Sequence, residues 1–353
     1  MRRGGRAPPP DAAPPRSGRA PAGATAKLPP GMDASDRRRV VLGFDHFARY
    51  VAGLAQGLAA VGWEPAVYYR EHGQAFGGTA DGLDRFLATQ LPAGAPRFRI
   101  RGRVRDVRAL RSVGAASRAL RRWRPDVVHV QHCVPNDPRI ALGLGLRPGR
   151  FALTVHDAAI HPGDHEPRRH QRVLVDWLAR HAAVVFVHGE TLREQVLRVW
   201  EPRGAVVVVP HGIAPADLGP LPDRPSLLFF GRLSEYKGLR VLLDALPAVW
   251  SAHPDATLTI AGEGDLPRHP ALEDRRVRLL HRYIDEEEVP ELFAAASLVV
   301  LPYIEASQSG VGSLAKGYGR PLLATAVGGL VELVADGSGE LAPPGDPDAL
   351  AAR

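Results

Sequence analysis

The sequence predicts two doubly wound α/β domains in tandem, each a parallel sheet with helices on both faces. Three observations carry this. Short apolar runs of strand length alternate with segments whose apolar residues recur at helical spacing. The alternation breaks once, in residues 210–225 (PHGIAPADLGPLPDRP), where five prolines and two glycines mark a linker, and then restarts. The length of 353 residues also exceeds the roughly 250–300 at which a single core stops growing.

Taken in order, residues 1–36 are rich in Pro, Gly, Ala and Arg and nearly devoid of large apolar side chains. Such a segment cannot bury enough surface to offset its chain entropy and is expected to be a disordered tail. It lacks the apolar core of a secretory signal, and its prolines oppose the amphipathic helix of a transit peptide. Met32 is an alternative start. The first domain is expected over residues 37–212. Residues 39–44 (RVVLGF) read as its first strand, 47–62 as a helix with Tyr50, Val51, Leu54, Leu58 and Val61 on one side, and 65–69 as the second strand. Residues 71–95 give weak signals. Strands are expected at 98–100, 126–132, 151–155, 184–187 and 206–209, and helices at 107–123, 168–182 and 191–199. After the linker at 213–225, the second domain, 226–353, opens with SLLFF. Strands follow at 257–261, 277–280, 298–301, 321–324 and 339–341, and helices near 238–250, 286–295, 311–318 and 329–335.

Composition removes several classes. The single cysteine, Cys133, excludes an internal disulfide and fits a reducing, cytoplasmic setting. No run approaches the ~20 apolar residues that span a bilayer. Of the net charge of +7, residues 1–39 hold +6, from nine Lys/Arg against three Asp. The body is almost neutral, so no nucleic-acid partner is expected. The basic tail leaves open a peripheral contact with acidic membrane surfaces. No G-x-G-x-x-G follows the first strand and no G-x-x-x-x-G-K-[ST] is present, which disfavours nicotinamide cofactors and P-loop hydrolysis. Gly143-Leu144-Gly145 follows no clean strand and is given no role.

The informative stretch is residues 226–250, SLLFFGRLSEYKGLRVLLDALPAVW. A buried strand ends at Gly231, and Leu239, Leu242, Leu243, Leu246 and Val249 then share one helical face. Arg232 and Lys237 therefore sit between a strand end and a helix start, where open parallel sheets bind ligands. A guanidinium fork, an ammonium and free helix N–H groups suit a diphosphate. A solvated basic turn is the plainer reading of the same residues.

FGRLSEYKG, AGEGDL, the segment 283–302 and GRPLLATAVGGLVELVADGSGELAPPGDPDAL occur in this order. Together they resemble the C-terminal, donor-binding half of retaining glycosyltransferases of the GT-B fold, the family 4-like "glycosyl transferases group 1". DVVHVQH, LTVHDAAIHPGD and VVVVPHGI resemble the other half. The resemblance implies that Arg232 and Lys237 hold the donor diphosphate, with Gly231 letting the backbone approach. It implies that Arg282, Tyr283 and Ile284 lie by the base, mainly through main-chain contacts, and that Glu305 reaches the transferred sugar. Gln308, Ser309, Gly310 and Val311 would present N–H groups to phosphate or sugar oxygens. His156 would face the sugar from the opposite lip.

The chain departs from the family pattern in three places. A second glutamate that binds ribose is absent: eight positions after Glu305 stands Ser313, and alignment on 319–321 puts Leu314 there. The family continues past PGDPDAL with helices that cross back onto the first domain, so a fragment, or a chain lacking those helices, is expected. The Gly-rich acceptor loop is replaced by Gly43-Phe44-Asp45-His46, where Asp45 and His46 are expected as exposed turn residues unless they meet an acceptor.

His161, His165, Glu166 and His170 carry metal-ligating groups, but Pro162, Gly163 and Pro167 oppose a continuous helix, and no metal is expected. His211 is expected to end a strand at the hinge. Glu263 is expected as an exposed turn acid, and Glu332 as either a helix-dipole partner or a donor contact. The resulting expectation is an enzyme that moves a sugar from a nucleotide-diphosphate sugar to an acceptor hydroxyl (glycan, lipid or small molecule) with retention, without cofactor or metal. A non-catalytic nucleotide-sugar-binding paralogue and an epimerase or phosphorylase of the same fold are the alternatives.

Overall fold

The computed structural model describes residues 38–45, 47–71, 81–102, 108–131, 138–158, 169–212, 215–285 and 287–353. The expectations for the tail, His46, Cys133, His161, His165 and Glu166, and for the His170 side chain, lie outside the described residues.

The first lobe contains β1 (Arg39–Phe44), α1 (Ala48–Ala60), β2 (Glu64–Arg70), α2 (Gly82–Gln90), β3 (Arg97–Ile100), α3 (Arg108–Trp123), β4 (Val127–Gln131), α4 (Pro138–Leu144), β5 (Ala152–Thr154), α5 (Arg169–His181), β6 (Val184–Val187), α6 (Glu190–Trp200) and β7 (Ala205–Val208). The second contains β8 (Ser226–Phe230), α7 (Leu239–Ala252), β9 (Thr257–Gly262), β10 (Val277–His281), α8 (Val289–Ala294), β11 (Leu298–Leu301), α9 (Gly310–Gly317), β12 (Leu322–Thr325), α10 (Gly329–Val334), β13 (Gly339–Ala342) and α11 (Pro347–Ala351). The sheets run β3-β2-β1-β4-β5-β6-β7 and β10-β9-β8-β11-β12-β13, with every pairing parallel.

Each sheet reverses its winding once, between β1 and β4 and between β8 and β11, and the crevice beyond such strand ends is where ligands bind in open α/β sheets. The central strands are mostly apolar because helices cover both faces, with polar residues such as His129 and Gln131 in β4 as exceptions. In β1, Val40, Leu42 and Phe44 pack into one cluster and Val41 into another. In β8, Leu228 and Phe229 divide in the same way. The α7 stripe of Leu239, Leu242, Leu243 and Leu246 is buried as its spacing predicts.

Three helices exceed the expectation. α2 is two turns in a Gly- and Ala-rich stretch, too short for its periodicity to register. α4 includes Gly143, where a Cβ would meet the Tyr68 ring, so that glycine permits close helix–strand packing. α11 begins on Asp346, whose carboxylate accepts the Ala349 N–H at 2.9 Å. The segment joining the lobes is held by the second: Arg320, buried, donates to the carbonyls of Leu218, Gly219 and Pro220, each at 3.2 Å. Among the described residues no helix is long and apolar enough to cross a membrane.

Candidate active site

β8 ends at Phe230, and Gly231 turns with φ 100°, a left-handed conformation that favours glycine. A 3₁₀ turn at Glu235–Lys237 then folds the loop back. It carries the Lys237 ammonium to the strand end: a Cβ placed on Gly231 would lie 2.9 Å from Lys237 Nζ and 3.3 Å from Val311 Cγ2. Lys237 is only 7% exposed, and its ammonium lies 5.6 Å from the Tyr303 ring centroid, a cation–π distance. Burial pushes the Tyr303 phenol up, so it stays neutral. Arg232 is exposed on the same loop.

The start of α9 closes the other side. Ser309 is its cap, with Oγ accepting the Gly312 N–H at 3.1 Å and lying 3.2 Å from Tyr303 Oη. The first N–H groups of a helix have no intrahelical acceptor, and here they begin at Gly310 and Val311. The preceding loop is fixed by Gly328, at φ 43°, where a Cβ would collide with the Ala306 carbonyl. Gly231, Lys237, Ser309, Gly310 and Val311 thus converge on the switch point of the second sheet.

The remaining expected residues spread around this point. Ile284 is buried and Tyr283 half-buried, with burial the main cause raising the Tyr283 phenol. The Arg282 side chain forks onto Glu288 at 2.7 and 2.6 Å. Glu305 and Glu263 are both exposed.

His156 comes from the other lobe, just beyond β5, and is 1% exposed. Its Nε2 lies 2.9 Å from Gln131 Oε1, and its carbonyl accepts from Gln308 Nε2 at 2.9 Å across the lobe boundary. Gln131, at the end of β4, and Gln308 therefore clamp His156 from both sides. The Phe47 ring stacks on it at 4.0 Å between centroids, from a left-handed backbone (φ 66°) rare for a residue with a Cβ. Gln131 and Phe47 escaped the sequence reading. The only signal was a glutamine at the end of the mostly apolar β4, which also carries His129.

Behind His156, the rings of His188 and His211 complete a cluster whose ligating nitrogens all lie within 4.8 Å of one another. Burial lowers the His188 imidazole and brings His211 down to about 4; nearby His129 is likewise at about 4. Two expectations change. Asp45 is no exposed turn residue: it is 1% exposed and paired with Arg70 at 3.1 Å, because β2 brings the guanidinium over the end of β1. Glu332 acts as a dipole partner for a helix in the other lobe, accepting the N–H groups of Glu190 and Thr191, each at 2.8 Å, and the Thr191 hydroxyl. A surface depression of about 320 Å³ lined by Ala141, Leu146, Val173, Leu174 and Trp177 is apolar and belongs to the first lobe alone.

Two parallel sheets of dinucleotide-type strand order, meeting through their strand-end loops, define the class: a two-lobed α/β protein with its site between the lobes. Residues 47–217 match the model of Glycosyltransferase Family 4, and residues 224–353 match Glycosyl transferases group 1. The chain belongs to this glycosyltransferase family, and its fold is GT-B. Glycogen synthase of Mycobacterium tuberculosis (strain CDC 1551 / Oshkosh) is 31% identical over 248 residues, 66% of this chain and 60% of that protein. GDP-mannose:glycolipid 4-beta-D-mannosyltransferase of Xanthomonas campestris pv. campestris is 37% identical over 110 residues, 30% of each chain. Sucrose-phosphate synthase from Thermosynechococcus elongatus shares the fold, with a TM-score of 0.63 over 90% of this chain and 88% of that one at 20% identity. The chain spans less than two thirds of the length of these two curated relatives.

Proposed function

We propose that this protein transfers a sugar from a nucleotide-diphosphate sugar to an acceptor hydroxyl with retention at the anomeric carbon. The observation that carries the reading is the convergence of the Lys237 ammonium, the Gly231 turn and the start of α9 at the second sheet's switch point. A cation and free N–H groups aimed at one place suit a leaving group that gains negative charge as its bond breaks. In this reading Arg232 and Lys237 bind the diphosphate, Gly310 and Val311 donate main-chain N–H bonds, Tyr283 and Ile284 flank the base, and Glu305 and His156 hold the sugar from opposite lips.

The bond between the anomeric carbon and the phosphate oxygen breaks as the acceptor oxygen bonds on the same face. The acceptor proton passes to the departing phosphate, so no separate base is needed. Retention and these residue roles rest on the family resemblance. The domain division at 213–225 is part of the same proposal, with the first lobe on the acceptor side and the second on the donor side. The mannosyltransferase relative names a GDP-sugar donor and a glycolipid acceptor, which supports a nucleotide-sugar donor here without fixing base or acceptor.

A thermal-shift panel of UDP, GDP, ADP and their sugars tests the reading. The matching nucleotide at 100 times its Kd should add about 2.7 kcal/mol of stability. Anomeric analysis of product formed with the matching sugar donor should show retention. A panel with no shift for any nucleotide would overturn the proposal.

A further inference from the structure

We propose that the outer surface of helices α3, α4 and α5 docks the first lobe on an anionic lipid membrane. This goes beyond the transferase reading and stands without it. Val113, Ala116 and Leu120 of α3, Ile140 and Leu144 of α4, and Leu178 and Ala179 of α5 pack into one cluster on one face of the first sheet. What these three helices turn away from that cluster forms a single surface.

The surface is basic. α3 holds five arginines and no acidic residue. Arg111, Arg118 and Arg122 stand at i, i+7 and i+11, opposite the buried Val113, Ala116 and Leu120, and all three are exposed. Among the described residues no ion pair or side-chain hydrogen bond engages them. Arg147 and Arg150 in the turn after α4, and Arg180 near the end of α5, are exposed as well. Asp176 is the only acid in the three helices, and it accepts the Trp200 indole N–H at 2.9 Å. On the other face of the sheet α1 and α2 are nearly balanced, with Arg49 and Arg85 against Asp84. The body is almost neutral in total, yet its positive charge is gathered on one side.

The same surface is apolar between its arginines. Leu142 of α4 and Val173 of α5 are 69% and 62% exposed, more than any other large apolar side chain among the described residues. Val173 lines the depression of about 320 Å³ with Leu146, Leu174 and Trp177, and Leu142 follows Ala141 on its α4 side. On α5, Val173, Trp177 and Arg180 fall at i, i+4 and i+7, so aliphatic, aromatic and cationic groups share one side.

Aliphatic tips flanked by guanidinium groups suit a bilayer surface, where acyl chains take the first and lipid phosphates the second. A second copy would set the same arginines against themselves across a two-fold axis. Nucleic acid offers phosphates but no apolar layer for Leu142 and Val173. Charge spread over three helices matches a diffuse anionic surface better than one acidic peptide. The surface covers a face of the sheet rather than its strand ends, so docking leaves the boundary between the lobes uncovered.

The test is co-sedimentation of the full chain with vesicles of phosphatidylcholine, alone or mixed with phosphatidylglycerol. Binding should require phosphatidylglycerol and weaken as salt rises. Each arginine near an anionic surface contributes a factor of about five, so Arg111→Gln/Arg118→Gln/Arg122→Gln should lower partitioning about 100-fold. If that variant does not fold, Arg147→Gln/Arg150→Gln takes its place, with a loss of about 25-fold. Leu142→Ser/Val173→Ser should lower partitioning about tenfold. Arg2→Ser/Arg3→Ser/Arg6→Ser/Arg16→Ser/Arg19→Ser, which changes only residues 1–36, should keep most of the binding. No binding by the parent, equal binding without phosphatidylglycerol, or undiminished binding by the arginine variants of the helix surface overturns the proposal. So does binding lost with the residue 1–36 arginines alone, self-association that Leu142→Ser/Val173→Ser abolishes, or tighter binding to duplex DNA or polyglutamate than to the vesicles.

Discussion

Lys237 is buried because the 3₁₀ turn at Glu235–Lys237 folds its stem against the end of β8, leaving the ammonium beside Gly231 and over Tyr303. A charge-assisted hydrogen bond contributes about 1.5–3 kcal/mol. Lys237→Met, which keeps the bulk of the side chain, should therefore weaken nucleotide binding by about 10–100-fold in calorimetric titration. Gly231→Ala should act on both fold and site. At φ 100° a Cβ costs about 1–3 kcal/mol in strain, and it would also crowd Lys237 Nζ. Denaturant melts should show that loss of stability together with reduced nucleotide affinity. The loop that carries Arg232 and Lys237 was legible in the sequence because a strand, a glycine and a helix start follow one another within a few residues. Gln131 and Gln308 form their clamp on His156 only when distant segments meet, and local pattern holds no trace of that.

At the scale of elements, helix ends join the lobes. The Glu332 carboxylate in α10 caps the start of α6 across the boundary. Partial burial alone would raise its pKa, but the hydrogen bonds from Thr191 and Glu190 outweigh that and hold it below the usual Glu value. A carboxyl lowered on folding stabilises fully above its unfolded pKa, about 4.3, and loses that contribution as pH falls through its folded value. Glu332→Gln should thus cost about 0.5–1 kcal/mol at pH 7, a modest figure because the group is exposed. In paired urea melts the gap between parent and variant should narrow progressively below pH 4. Long strands and the α7 stripe were readable from periodicity. α2 and α4 were not: α2 lies next to a Gly- and Ala-rich stretch of weak signal, and α4 holds Gly143 and follows no clean strand pattern. Glu332 stood open between two roles because its partner lies 141 residues away in sequence.

For the whole molecule, the restart of the strand–helix alternation after the proline-rich segment foretold two sheets, and the Gln308–His156 hydrogen bond joins the loop before α9 of one to the segment just past β5 of the other. Arg320 fastens the joining segment to the second lobe through the carbonyls of Leu218, Gly219 and Pro220, and the Ala216 N–H donates to the Gly317 carbonyl at 3.1 Å. The central claim is that the second lobe's mouth recognises a diphosphate. Its most direct measurement is a calorimetric comparison of the nucleoside diphosphate with the monophosphate of the same base, in the parent and in Lys237→Met. The account predicts that the diphosphate binds at least about tenfold tighter to the parent, as one charge-assisted contact requires, and that Lys237→Met removes most of this preference. Equal binding of the two nucleotides by the parent, or an undiminished preference in Lys237→Met, would contradict it.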